Sequence, residues 1–388
     1  MTAHFALRLI SVYPKNALPT VFWAASQHKS GRSKRSLQFA RLLLVKSLTT
    51  SIRAVYSVFC TAIAAMPSAI RQFDVFNGDA DGICALHQLR LEHPAQATLI
   101  TGRKREIALL ERVQAHAGDR VTVLDISLAR NRVALDALLK KGVIVDYFDH
   151  HHAGELPVLP GLHAIIDTTP DVCTGILVDR FLGGRQRPWT VVAAFGDNLA
   201  DQARTLGSDA GIDPAQLTVL QELGECINYN AYGDSDEDLI IHPRLLYEHV
   251  RRYRDPWNFF VNEPVFTRLR ATRLHDLTSA HQNQERIELP VGTIALLPDN
   301  AASRRVRGAF ANQLATAAHD KAHAVLTPDR QNGYTVSVRA PMQRLHGADV
   351  LCALFGGSGR AAAAGIDHLP RTQVAAFTAA FATTFQNF

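Results

Sequence analysis

Short bursts of Asn, Asp and His recur in this 388-residue chain: Asn77-Gly78-Asp79-Ala80-Asp81-Gly82, then Asp125, then Asp149-His150-His151-His152. Carboxylates gathered in one place repel one another and are costly to bury unless a cation or a proton compensates them. Carboxylates with an imidazole suit Mn²⁺ or Mg²⁺ better than a thiolate-seeking metal, although histidine also suits zinc. Two such cations about 3.5–4 Å apart can activate water and stabilise charge developing on a phosphoryl group, with a carboxylate as their bridge. No Cys or Ser nucleophile is then required. Within the histidine run, one ring can bind metal while its neighbour faces a substrate phosphate, and Asp149 can orient an imidazole from behind. Any one of these aspartates, taken alone, reads equally well as a turn or helix N-cap. It is their recurrence that points to a divalent metal.

The elements that must position them alternate from Phe73 onward. Apolar runs at Phe73–Phe76, Ala97–Ile100, Val121–Leu124, Val143–Phe148 and His163–Ile166 read as strands. Helical spacing over Gly82–Leu91, Ile107–Ala115 and Leu135–Lys140 fills the gaps between them. Such alternation predicts an α/β fold with a mostly parallel sheet covered on both faces. Ligands of open α/β sheets sit beyond the carboxyl ends of the strands, and right-handed crossovers keep those ends on one edge. Asn77, Asp125 and Asp149 each fall where a strand has just ended, so they can converge. Residues 171–285 read as mainly helical, with Gly233–Asp238 as an exposed turn or linker. Strands return from Glu288 (Val291–Leu297, Ala322–Leu326, Tyr334–Arg339), with helices through Arg304–Ala318 and Ala348–Phe355. This is a second, smaller α/β domain that ends in its own Gly-rich loop.

Composition bounds the reading. With 47% apolar and 20% charged residues, this is an ordinary globular chain. Its five scattered cysteines form no CxxC pair, which favours a reducing, cytoplasmic setting over a disulfide framework or zinc ribbon. The net charge of +5 is confined to one segment: residues 1–65 hold nine Lys and Arg and no acid, which leaves 32 basic against 36 acidic residues elsewhere. The body is therefore acidic and offers no long basic track for nucleic acid. Residues 1–65 are a basic extension expected to be disordered or not native. Their Arg- and Ser-rich composition reads as a transit peptide or as sequence upstream of an initiator at Met66. Basic residues interrupt each apolar stretch before it reaches membrane-spanning length, so no membrane partner is expected.

The residues Asn77-Gly78-Asp79-Ala80-Asp81-Gly82, Asp125, Asp149-His150-His151 and Gly196-Asp197 resemble, in order, the four motifs of the DHH phosphoesterase superfamily. The run Gly356-Gly357-Ser358-Gly359-Arg360 to Ala363-Ala364-Gly365 is similar to the glycine-rich loop of the DHH-associated C-terminal domain. The resemblance covers roughly residues 70–388. It implies a DHH domain over 70–205, a helical connection over 206–287, a substrate-binding domain over 288–388, and an active site in the cleft between the domains. It also implies a manganese-dependent phosphoesterase with two ions, Mg²⁺ being the other candidate. Asp79, Asp125 and His150 match metal ligands, with Asp125 as bridge, and Asn77 falls at a further ligand position. Asp197 best matches the fourth-motif ligand because it follows an apolar run and Gly196; Asp201, four residues on, is its rival. His151 matches the residue that contacts the scissile phosphate, with Asp149 beside it. Arg339 and Arg360 match phosphate or nucleotide clamps, and Gly356, Gly357 and Gly359 allow backbone amides to approach an anion.

The chain departs from the pattern at two motifs. In the first, many members carry Asp where this chain has Asn77 and His where it has Phe73. In the glycine-rich loop, Arg360 stands where many have His. Asn77 brings a carbonyl oxygen but no charge, so one metal is expected to bind more weakly, with Asp81 able to compensate. The function expected is hydrolysis of phosphodiester or phosphomonoester bonds in small nucleotides, above all short oligonucleotides. A RecJ-like single-strand exonuclease is the alternative within the same chemistry. A non-catalytic nucleotide sensor with a weakened metal site is the alternative outside it. A homodimer is compatible with either.

Overall fold

The computed structural model of the protein describes residues 70–386. The expectations for residues 1–65, and Cys60, lie outside the described residues.

Five strands form the first sheet: β1 (Gln72–Asn77), β2 (Ala97–Gly102), β3 (Arg120–Leu124), β4 (Ile144–Asp149) and β5 (Leu162–Ile166). All its pairings are parallel, and the order is β2-β1-β3-β4-β5. Side chains alternate along a strand, so β1 sends Phe73 and Val75 to one face and Phe76 to the other. On the first face they meet α2 (Leu128–Lys140) through Leu135, Leu138 and Leu139. On the second, Phe76, Leu124 and Phe148 pack under α1 (Ala80–Glu92), α3 (Thr174–Phe181) and α4 (Arg187–Gly196). Each fully buried Val, Leu, Ile or Phe contributes about 1.5–3 kcal/mol. The order reverses between β1 and β3, which makes their carboxyl ends the switch point where such sheets bind ligands.

The segment over Ile107–Ala115, expected to be a helix, forms only a 3₁₀ turn at Leu109–Arg112. Asn131 of α2 explains the difference. Its amide donates to the Ile107 carbonyl at 2.6 Å and its oxygen accepts from Leu110 N–H at 3.2 Å, satisfying the backbone without a helical ladder.

The connecting helices are α5 (Ala200–Asp209), α6 (Pro214–Asn230), α7 (Pro243–Val250), α8 (Pro256–Asn262) and α9 (Pro264–Asn283). Leu220, Leu223 and Ile227 of α6, Leu246 of α7, Phe259 of α8 and Phe266 of α9 share the core beneath α1 and α4. The second sheet follows: β6 (Glu285–Leu289), β7 (Gly292–Leu296), β8 (Ala322–Pro328), β9 (Gly333–Arg339), β10 (Ser358–Gly359) and β11 (Ala363–Pro370). Its order is β10-β11-β9-β8-β7-β6, and only β7–β8 is parallel, joined by the crossover helix α10 (Ala301–Ala317). Two helices, α11 (Ala348–Ala353) and α12 (Val374–Gln386), complete its core with Leu351, Phe377 and Phe381.

Gly233–Asp238 is not an exposed linker. Ser235 and Asp238 are buried, and the Asp238 carboxylate accepts from the amides of Asp234 and Ser235 and forks onto Arg304 of α10 at 2.9 and 3.0 Å. The next residue, Arg305, donates to Asp276 of α9 at 2.6 Å and to the Asp238 carbonyl at 2.6 Å. Tyr229 of α6 also donates to Asp276. The acidic run thus seats α10 through charge-assisted hydrogen bonds.

Candidate metal centre

Asp79, two residues past the end of β1, caps α1, accepting from Gly82 N–H at 3.1 Å. The carboxylate is thereby held at a helix N-terminus, where the backbone dipoles favour negative charge. Asp81, in the first turn of the same helix, reaches the start of α3 and accepts from the amides of Thr174 and Gly175, each at 2.7 Å. Asp125 follows β3 with φ of 58°, a left-handed conformation that Asp tolerates better than most residues, and its amide donates to the Phe148 carbonyl. Asp197 caps the C-terminal end of α4. The preceding glycine makes this placement feasible: a Cβ on Gly196 would lie 2.3 Å from that of Ala80, so only Gly lets α4 approach α1 this closely.

His150 and His151 follow β4 and serve different ends. The His150 Nδ1 lies 2.9 Å from the Val172 carbonyl, which can only accept, so Nδ1 carries the proton. Nε2 faces Asp125 Oδ1 at 3.4 Å and Asp197 Oδ2 at 3.9 Å. Carboxylates gathered around one ring nitrogen repel one another unless a cation or a proton stands among them. The His151 Nδ1 lies 2.7 Å from Asp149 Oδ1 and its side chain is half-exposed. Burial works against protonation of His151, but the Asp149 hydrogen bond and charge outweigh it and raise the imidazole's proton affinity. Asp149 itself is fully buried, and its Oδ2 has no hydrogen-bond partner.

Two groups of donor atoms come within 4.8 Å of one another: Asp125, His150 and His151, and Asp81, His150 and Asp197. Burial, reinforced by the Asp79 and Asp81 carboxylates, holds the Asp125 carboxyl well above the usual carboxylate range. Burial would do the same to Asp79, but the ammonium of Lys104, 2.6 Å from Asp79 Oδ2, holds it below that range. Hard oxygen donors, one imidazole with its Nε2 turned inward and an orphaned Asp149 oxygen all fit a divalent cation such as Mn²⁺ or Mg²⁺.

Asn77 is in neither group. Its Oδ1 accepts from Asp79 N–H at 3.3 Å and its Nδ2 lies 3.4 Å from the Lys104 carbonyl. Asp81, assigned only a compensating part on sequence grounds, stands in the cluster instead. Asp201 is fully exposed and pairs with Arg204, so of the two fourth-motif candidates only Asp197 reaches the site. His152 is exposed outside it. Lys104 is the residue that sequence reasoning missed: between Arg103 and Arg105 it reads as part of a solvated basic run.

Beside the cluster lies a cavity of about 810 Å³, lined among others by Gly196, Asn198, Asn228, Tyr232, Asn312 and Arg339. Arg339 donates to Asn312 Oδ1 at 2.6 Å and to Ser337 Oγ at 3.0 Å, which fixes its guanidinium against α10. The Gly-rich loop is a hairpin in which Ser358 and Gly359 pair with Gly365 and Ala364. A Cβ on Gly359 would lie 2.4 Å from the Ala364 Cα, at a φ of 152° that side chains avoid. Gly356, Gly357, Gly359 and the exposed Arg360 do not line the cavity, whereas Ala362 and Ala363 do.

A parallel sheet with acids and an imidazole at its switch point, followed by a second mixed sheet, defines a two-sheet α/β protein with a candidate metal centre. No family model matches the sequence, and no curated protein matches it. Among solved structures it is similar to manganese-bound exonuclease RecJ, at 18% identity over 82% of this chain and 90% of that one, with a TM-score of 0.51. It is also similar to RecJ in complex with Mn²⁺ from Thermus thermophilus, at 19% identity and a TM-score of 0.54 over 82% of this chain. The chain spans about half (52%) of that protein. The fold is therefore the one RecJ has. No described helix is long and apolar enough to cross a membrane.

Proposed function

We propose that the protein is a divalent-metal-dependent phosphoesterase acting on small nucleotides, with short oligonucleotides as the leading substrates and Mn²⁺ as the leading ion. The observation that carries this reading is the His150 ring, whose Nδ1 is tied to Val172 while Nε2 faces Asp125 and Asp197. Asp81, Asp125, His150 and Asp197 would hold the ion, with Asp79 beside them. A divalent cation there would supply Lewis acidity toward a phosphoryl oxygen and toward water.

The remaining residues bind and orient. His151, held by Asp149, presents Nε2 as the group that contacts the phosphate and can donate a proton to the leaving oxygen. Arg339 lines the neighbouring cavity with its guanidinium already fixed by Asn312 and Ser337, so it would meet an anion at small entropic cost. The cavity's volume of about 810 Å³ suits a few nucleotides better than a long strand. The solved RecJ structures support the same bond type, since that protein is an exonuclease.

The test is release of mononucleotides from di- to pentanucleotides with Mn²⁺. Processive digestion of long single-stranded DNA would place the protein with the exonucleases instead. Nucleotide binding without turnover across nucleotide, cyclic dinucleotide and polyphosphate substrates, with metal occupancy confirmed, would leave a sensor.

A further inference from the structure

Lys104 is turned into the acidic cluster while both its neighbours point elsewhere. Arg103 pairs with Asp236 at 3.1 Å and Arg105 with Asp367 at 2.9 Å. The Lys104 ammonium lies 2.6 Å from Asp79 Oδ2, 3.6 Å from Asp197 Oδ1 and 3.4 Å from Asn228 Oδ1, with the Tyr232 ring 5.7 Å away. The ammonium thus donates to Asp79 and Asn228 and is ion-paired with Asp197. The backbone is held as well: Lys104 N–H donates to the Ala231 carbonyl at 3.0 Å, and its own carbonyl faces the Asn77 amide at 3.4 Å. That second contact needs a donor at residue 77, which an ionised aspartate does not offer. One of the positions where this chain departs from the pattern it resembles, Asn77, is therefore the one that contacts the Lys104 carbonyl.

Resting on the phosphoesterase reading above, we propose that the Lys104 ammonium takes the place of one of the two cations, so that the centre holds a single divalent ion. Two features agree. Asp79 and Asp197 are the acids nearest the ammonium, so it already neutralises carboxylates that a second ion would need. A second divalent ion beside Asp79 would also meet an ammonium already seated there, and like charges at such distance repel. On this proposal the centre would hold one ion and one ammonium where the family resemblance implies two ions. Lys104 acts as a positioning residue that neutralises Asp79 and leaves Asp81, Asp125, His150 and Asp197 to the metal.

The experiment is manganese stoichiometry on the full chain, by equilibrium dialysis with elemental analysis and by electron paramagnetic resonance. Wild type is expected to bind about one Mn²⁺ per chain, with the spectrum of an isolated ion. Lys104→Met should bind about two, with the broadening of adjacent, spin-coupled ions, while Lys104→Arg should stay at about one. Two ions in wild type, or one in a folded Lys104→Met, would overturn this proposal and leave the phosphoesterase reading standing. No Mn²⁺ in either protein would overturn both. Because the wild-type count decides by itself, the proposal stays falsifiable even if Lys104→Met does not fold.

Discussion

The Nδ1–H of His150 donates to the Val172 carbonyl at 2.9 Å, whereas the Nδ1–H of the adjacent His151 faces Asp149 at 2.7 Å. Two consecutive imidazoles are thus fixed by partners of different charge. A carbonyl fixes the His150 ring with Nε2 turned inward; a carboxylate makes His151 the better proton carrier. His150→Ala should abolish the thermal stabilisation that Mn²⁺ gives, an effect of about 2.7 kcal/mol at 100-fold excess over Kd. His151→Gln should keep that stabilisation and lower kcat by about 10²–10⁴. Thermal shift with and without Mn²⁺, beside initial rates, separates the two; equal loss of metal response in both variants would refute the division of roles.

The two aspartates of the fourth motif give a cleaner contrast. Asp197 faces both His150 and Lys104, while Asp201 faces solvent and Arg204. Asp197→Asn should weaken Mn²⁺ binding by more than about tenfold, and Asp201→Ala should leave it unchanged with stability within about 0.5 kcal/mol. Titration calorimetry with Mn²⁺ reads both, and a strong effect from Asp201 would displace Asp197 from the site.

Arg305 is nearly buried where it meets Asp276. Arg305→Ala leaves that carboxylate and the Tyr229 hydroxyl without their shared partner, so urea unfolding should show a loss of about 3–5 kcal/mol. Arg251, an exposed arginine paired only with Glu248 on its own helical turn, should cost less than about 1 kcal/mol when changed to Ala.

His87 gives a pH dependence remote from the candidate metal centre. It is buried edge-on against Trp189, and burial lowers its pKa to about 4 despite the hydrogen bond to the Tyr253 carbonyl. The unfolded chain binds a proton near 6.5 and the folded one only near 4, so between these values the unfolded state holds more protons. Stability from the neutral ring is full above about 6.5 and lost as pH falls toward 4, on the order of 3 kcal/mol in all. His87→Gln should flatten that limb in denaturant titrations at pH 7 and pH 5. An unchanged slope would show that other groups carry it.

Much of this arrangement was legible because β1, β3 and β4 are apolar runs that end in, or are directly followed by, Asn or Asp, so spacing alone put Asn77, Asp125 and Asp149 on one sheet edge. Asp81 was legible as a residue but not as a member of the cluster, since its direction depends on where α3 begins. Lys104 was not legible at all. Only the contact of the β2 loop with Asn77 and Ala231 selects it over Arg103 and Arg105. Gly233–Asp238 misled for a related reason: an acidic, glycine-containing run reads as solvated until Arg304 and Arg305 are seen to approach it from more than sixty residues away. Pairing over such distances leaves no periodic trace.

The paired arginines of α10 reach further than stability. They stand side by side on the helix that also carries Asn312 and the Gly308 carbonyl, the partners of Arg339. Their grip on Asp238 and Asp276 therefore fixes how far Arg339 stands from the acids at the edge of the first sheet. The width of the cavity is set by ion pairs that lie outside the acids and the imidazole of the cluster. Preference for substrate length could then drift, or be engineered, through Asp238 and Asp276 while every acid and imidazole of the centre stays unchanged.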